Sequence, residues 1–93
     1  VRAIREHDGL RQPPANIEAE QNVLGAMMLD PKAAARVRLD PEDFYLRTHR
    51  ELYRVLVQMD ADGKPLDAVT VGDYVEARGL TDAVGGTSYL VEL

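Results

Sequence analysis

The stretch Ile17-Glu18-Ala19-Glu20-Gln21-Asn22-Val23-Leu24-Gly25-Ala26-Met27-Met28-Leu29-Asp30 decides the fold. Wound into a helix at about 100° per residue, it places Ile17, Glu20, Val23, Leu24, Met27 and Met28 on one arc, with Glu18, Asn22, Gly25 and Ala26 outside it. Asn16 can cap such a helix, which then carries Glu18 and Glu20 near the positive end of its dipole and runs to about Leu29. Glu20 is the odd charge on the apolar arc, and a carboxylate turned inward needs a partner; His49 and Arg50 are the candidates. Met27 and Met28 read as flexible fillers of a core. Gly25 and Ala26 would let another helix approach closely, although a plain exposed face accounts for them equally well.

Working outward, Asp30-Pro31 reads as an N-cap followed by proline at the first helical position, opening a short alanine-rich helix over Lys32 to Val37. Asp40-Pro41 repeats the device before Glu42-Asp43-Phe44-Tyr45. Thr48 and Glu51 have capping-box spacing, and Gly63 is placed to stop the helix between them. The inner arc of that helix is His49, Leu52, Val55, Leu56 and Met59, with Tyr53 at its margin. After the turn Lys64-Pro65-Leu66-Asp67, Thr70 and Asp73 offer a second capping-box start and Gly79 a second stop, with Val71, Tyr74 and Val75 on one face beside the stem of Arg78. Beyond Gly85-Gly86, the residues Thr87 to Leu93 read as the opening of another helix with Tyr89, Leu90 and Leu93 on neighbouring parts of one side. An uncapped leucine end suggests that chain beyond Leu93 has been removed.

On the amino-terminal side, residues Val1 to Pro14 lack apolar periodicity and end in Pro13-Pro14, which favours an extended backbone, so they read as a flexible leader to a helical head over 15–93. No stretch alternates long enough to make a strand. The expected class is all-α, a small bundle of about five to six short helices.

Composition narrows function. Ninety-three residues at 45% hydrophobic support one small core. Apolar runs fall far short of the roughly 18 residues a membrane span needs, and the amino terminus has no signal-peptide pattern, so the expectation is a cytoplasmic protein without membrane contact. Without cysteine there are no disulfides or thiolate metal sites. A net charge of −5, with scattered basic residues, opposes phosphate-driven binding to duplex DNA.

Catalytic chemistry is equally hard to find. Gly85-Gly86-Thr87 lacks the lysine of a phosphate-binding GxxxxGKS or GxxxxGKT loop. His49 stands alone in the folded part, short of a metal set. Glu20 as a general base has no nucleophile or oxyanion stabiliser near it in sequence. The four tyrosines suit core and interface packing better than base stacking. No catalytic, cofactor or metal residue is expected; the core or interface candidates are Ile17, Glu20, Val23, Leu24, Met27, Met28, Phe44, His49, Leu52, Leu56, Met59, Val71, Val75, Tyr89 and Leu90.

The stretch Ile17 to Asp30 closely resembles the opening motif of bacterial replicative DNA helicases of the DnaB family. Further pieces follow in the family's order: Asp43-Phe44-Tyr45, Thr48-His49-Arg50, Gly63-Lys64-Pro65-Leu66-Asp67, Val69-Thr70-Val71, then Val84-Gly85-Gly86 with Tyr89-Leu90. Together they cover about Pro13 to Leu93, departing mainly at Arg36-Val37-Arg38-Leu39-Asp40 and in the leader. The resemblance implies an amino-terminal head that packs with other copies into a collar over a homohexameric motor, often as a trimer of dimers. It implies primase and helicase-loader contacts for the intact protein. It also implies a helical hairpin and a RecA-like domain that hydrolyses ATP with magnesium and moves on single-stranded DNA, both outside these residues. Rival readings are a motor-less loader or accessory protein with a similar head, a small helix-turn-helix DNA binder, and a hydrolase using Glu20 and His49.

Overall fold

The computed structural model describes residues 14–93, which form five α-helices and one 3-10 turn, with no strand among them. In order these are α1 (Pro14–Leu29), α2 (Pro31–Arg36), the 3-10 turn Pro41–Asp43, α3 (Arg47–Ala61), α4 (Ala68–Ala77) and α5 (Thr87–Glu92). The all-helical expectation holds. The expected leader falls on residues outside the described ones, apart from Pro14.

Several helix starts differ from those read off the sequence. α1 is already helical at Pro14, ahead of the Asn16 expected to cap it. α3 begins at Arg47 with Leu46 as N-cap and no side-chain capping bond, so the Thr48–Glu51 box does not form. Glu51 instead pairs with Arg54 at 2.6 Å, and the Thr48 methyl group lies beside Gly85. α4 is capped by Asp67, not Thr70: the Asp67 carboxylate accepts the Thr70 N–H and the Thr70 hydroxyl, both at 2.9 Å. The neighbouring Leu66 is buried, which anchors the chain just ahead of the cap.

Other signals act as read. Asp30 accepts the Lys32 N–H at 2.9 Å and Pro31 opens α2. Gly63 and Gly79 both take positive φ, and each closes a helix with paired bonds: Lys64 N–H to Met59 C=O and Gly63 N–H to Asp60 C=O after α3, Leu80 N–H to Val75 C=O and Gly79 N–H to Glu76 C=O after α4.

α3 is the centre of the bundle. His49, Leu52, Val55, Leu56 and Met59 are buried along it, and so is Tyr53, only 4% exposed, which the sequence pattern had left at the margin. The Tyr53 hydroxyl explains this, donating to the Leu39 carbonyl at 2.8 Å and accepting the Leu39 N–H at 3.3 Å, so the ring can be buried while its polar tip is satisfied. α1 packs on α2 and α3, α3 on the 3-10 turn and α4, and α4 on α5. Leu24, Met27, Phe44, Leu66, Val71, Val75, Val84 and Leu90 complete the core with the α3 residues, and Ala34 enters from α2.

Candidate functional site

Among the described residues, a polar chain runs from the core towards the surface across α1, α3 and α5. Glu20 comes from α1, only 8% exposed, and His49 from α3, fully buried. Glu20 Oε1 lies 2.7 Å from His49 Nδ1, and Oε2 accepts the Tyr45 N–H at 2.5 Å. The other imidazole nitrogen, Nε2, is 2.6 Å from the Tyr89 hydroxyl of α5, which also accepts from the Gln21 amide at 3.1 Å. Hydrogen-bond bookkeeping closes with one neutral tautomer: Gln21 donates to Tyr89, Tyr89 donates to Nε2, and Nδ1–H donates to Glu20. The His49 and Tyr89 rings stack at 5.9 Å and 14°, and Phe44 meets His49 edge-on at 6.4 Å.

Of the two partners expected for Glu20, the structure selects His49. Arg50 turns elsewhere, donating from Nε to the Phe44 carbonyl at 2.7 Å. That bond and the Tyr45-to-Glu20 bond pin the loop Phe44–Leu46 from both sides.

This arrangement holds helices together and offers no reaction centre. The carboxylate and imidazole are sealed in the core, and the third member of the chain is a phenol already engaged at its oxygen. A hydrolase would need an open approach for substrate and a place for an oxyanion. Among the described residues, no three His, Cys, Asp or Glu side chains come together as a metal set. Gly85-Gly86-Thr87 lacks the lysine of a phosphate-binding loop, and a side chain at Gly85 would run into the Tyr89 ring and the Thr48 methyl group.

The other sequence candidates are distributed between core and margin. Leu24, Met27, Phe44, Leu52, Leu56, Met59, Val71, Val75 and Leu90 are buried, whereas Ile17, Val23, Met28 and Tyr89 are half-buried. α1 has no single apolar stripe, because apolar residues occur around most of its circumference. One consequence corrects the helical arc: Gly25, placed outside it, is buried. A Cβ there would stand 3.1 Å from the Leu93 carbonyl oxygen, so the close approach considered for Gly25 is real and the end of α5 makes it, while Ala26 is exposed.

Sequence reasoning missed Gln21, which had no apolar position to mark it, and Leu66 and Val84, each buried from an irregular segment where periodicity is silent. On the outside, Leu29, Tyr45, Val57, Val69 and Val91 are exposed apolar side chains. A shallow groove of about 330 Å³ is lined by Leu39, Pro41, Tyr53, Arg54, Val57 and Gln58. No described helix is long and apolar enough to cross a membrane.

With this geometry in hand, comparison with known proteins is decisive. The pattern that defines the DnaB-like helicase N terminal domain matches residues 12–93. The chain belongs to that family. Similar proteins include the replicative DNA helicase DnaC of Bacillus subtilis, 44% identical over 85 residues, and the replicative DNA helicase DnaB of Geobacillus stearothermophilus, 45% identical over 85 residues. Each match takes in 89% of this chain and 19% of the relative, so the chain spans about a fifth of the length of these helicases. The replicative helicase of a Nostoc species is 40% identical, with 10% of its length matched. A crystal structure of the N-terminal domain of DnaB helicase from Mycobacterium tuberculosis has the same fold, with a TM-score of 0.75 and 41% identity over 87% of this chain and 60% of that one. The DnaB-type N-terminal domain is thus all-helical here as well, and its polar chain through Glu20, His49 and Tyr89 lies wholly within the matched residues.

Proposed function

We propose that these residues form the head of a hexameric replicative DNA helicase, a non-catalytic module that helps assemble an amino-terminal collar and serves as part of a docking platform for primase or a helicase loader. The observation that carries this reading is the family match over residues 12–93, joined to a polar centre that is closed inside the core. Helicase work requires nucleotide, and the sequence contains no GxxxxGKS or GxxxxGKT phosphate loop. On this reading ATP hydrolysis with magnesium, and movement on single-stranded DNA, belong to polypeptide beyond the head. The exposed apolar side chains on α1, α3, α4 and α5 are the surface from which contacts with other subunits or with partners would be drawn. An isologous pair of heads would use one patch twice, which suits a trimer of dimers. A protein acting on replicating bacterial DNA works in the cytoplasm. The division proposed is a leader over 1–14 and a head over 15–93.

The alternative of a motor-less accessory protein is tested by the same experiment. The full-length gene product should sediment as a hexamer and unwind forked DNA in the presence of ATP and magnesium, whereas residues 1–93 alone should hydrolyse no ATP. A full-length product without ATPase activity would overturn the helicase reading in favour of an adaptor. Loss of hexamers on removing the head would support the collar role, and intact hexamers without it would refute that role.

A further inference from the structure

Two helices turn oppositely charged sides to solvent. On α3, Arg47, Arg50 and Arg54 share an arc of about 60° opposite the buried Leu52, Leu56 and Met59, with the exposed Val57 at its edge. On α4, Val69, Asp73 and Glu76 share a similar arc opposite the buried Val71 and Val75, and all three are exposed. α4 itself holds no cation, and Arg78, just beyond it, is laid over the Tyr74 ring. On α3, Glu51 pairs with Arg54 and Arg50 donates to the Phe44 carbonyl, so the arginine side stays positive. The shallow groove walled by Leu39, Pro41 and Val57 opens beside Arg54.

We infer that these two sides are the halves of one contact between copies of this chain, in which α4 of one head lies antiparallel along α3 of the next. The spacing matches. From Val57 back to Arg50, and from Val69 forward to Glu76, the helix advances by the same number of residues, about 10 Å in each case. With Val69 seated in the groove beside Val57, Asp73 comes to Arg54 and Glu76 to Arg50 and Arg47. Within one chain the two sides cannot meet, because each points away from the core that α3 and α4 share. A chain of net charge −5 repels its copies in most orientations, whereas this one sets arginine against carboxylate. Such complementarity selects orientation and register more than it adds affinity. A nucleic-acid strand fits less well, since Arg54 is shared with Glu51, Arg50 with a backbone carbonyl, and the groove beside them is apolar. The contact is heterologous, leaving one α3 side and one α4 side free in each pair, so it can continue from head to head around a ring. The collar reading supplies the ring; the contact itself rests on the two helix sides.

The chain has no cysteine, so single cysteines introduced on the two helices report which sides approach. Equal amounts of Val57→Cys and Val69→Cys chains are mixed at low salt and oxidised; a disulfide forms only where Cα atoms come within about 7 Å. The mixed disulfide should exceed either homodimer about tenfold, and the excess should vanish near 1 M salt, where the screening length is about 3 Å. Arg47→Glu with Arg54→Glu in the Val57→Cys chain should abolish the excess, and Asp73→Lys with Glu76→Lys in the Val69→Cys chain should restore it. Every substituted position is exposed, so the variants should keep the helical circular dichroism of the unaltered chain. Predominance of either homodimer, a mixed product at its random share, or an excess that the charge reversals leave unchanged would overturn the contact. Hexamers of the full-length product alongside that random share would overturn it while leaving the collar reading intact.

Discussion

At the scale of single residues, the fold turns on a charge placed where apolar residues are expected. Glu20 interrupts the arc of α1 because it has two jobs in the core, accepting from His49 and from the Tyr45 backbone. Glu20→Ala would leave the His49 and Tyr45 donors without their acceptor. A loss of about 2–4 kcal/mol is expected from two donors left unpaired, read as a lower urea midpoint with unchanged slope. Glu20→Gln keeps an acceptor and should lose less. Tyr53→Phe removes only the bonds to Leu39 and should cost about 1 kcal/mol in the same assay. That Glu20 needed a partner was legible from its helical position. The choice of His49 over Arg50 was not, since the two are adjacent in sequence and only the direction of each side chain from α3 separates them.

At the scale of elements, helix stops were easier to read than helix starts. A left-handed C-terminal glycine is nearly a necessity, whereas several side chains within a turn can cap a start, and packing chooses among them. Thr48 and Thr70 had acceptable spacing, yet the caps fell at Leu46 and Asp67. The glycines themselves can be ranked. Gly63 and Gly85 both have positive φ, but a Cβ at Gly63 meets nothing within 4 Å, while one at Gly85 meets the Tyr89 ring at 3.0 Å and the Thr48 methyl group at 3.1 Å. Gly63→Ala should cost about 1–2 kcal/mol from backbone strain alone, and Gly85→Ala more, as thermal or urea unfolding would show. The Asp67 cap gives a pH dependence. The Thr70 N–H, then the Thr70 hydroxyl, hold its carboxyl below the ordinary value of 3.8. A folded-state pKa that is depressed means the unfolded chain binds the proton more readily. The cap's stabilisation is therefore full above 3.8 and disappears as pH falls through the lowered folded value. Asp67→Asn should retain much of the cap while removing this part of the acid dependence, measured as melting temperature against pH.

At the scale of the whole molecule, a net charge of −5 opposes binding to duplex DNA through its phosphates. A fluorescence titration of the 93-residue chain with duplex DNA at low salt should stay flat; saturable, salt-sensitive binding would revive the helix-turn-helix reading. The assembly proposed for the intact helicase would bring other copies to apolar positions such as Leu29, which is 83% exposed in the single head.

By itself, the sequence determined an all-helical head, the stops of α3 and α4, most of the buried face of α3, the absence of a nucleotide loop and the resemblance to replicative helicases. These follow from periodicity, glycine stereochemistry and motif order, which act over short spans of chain. Only the tertiary structure decided the partner of Glu20, the burial of Tyr53 and Gly25, and the joining of α5 to α1 and α3 through Tyr89. Those outcomes depend on directions in space between residues as far apart in sequence as Gln21 and Tyr89, where one side chain's satisfaction rests on another helix having arrived.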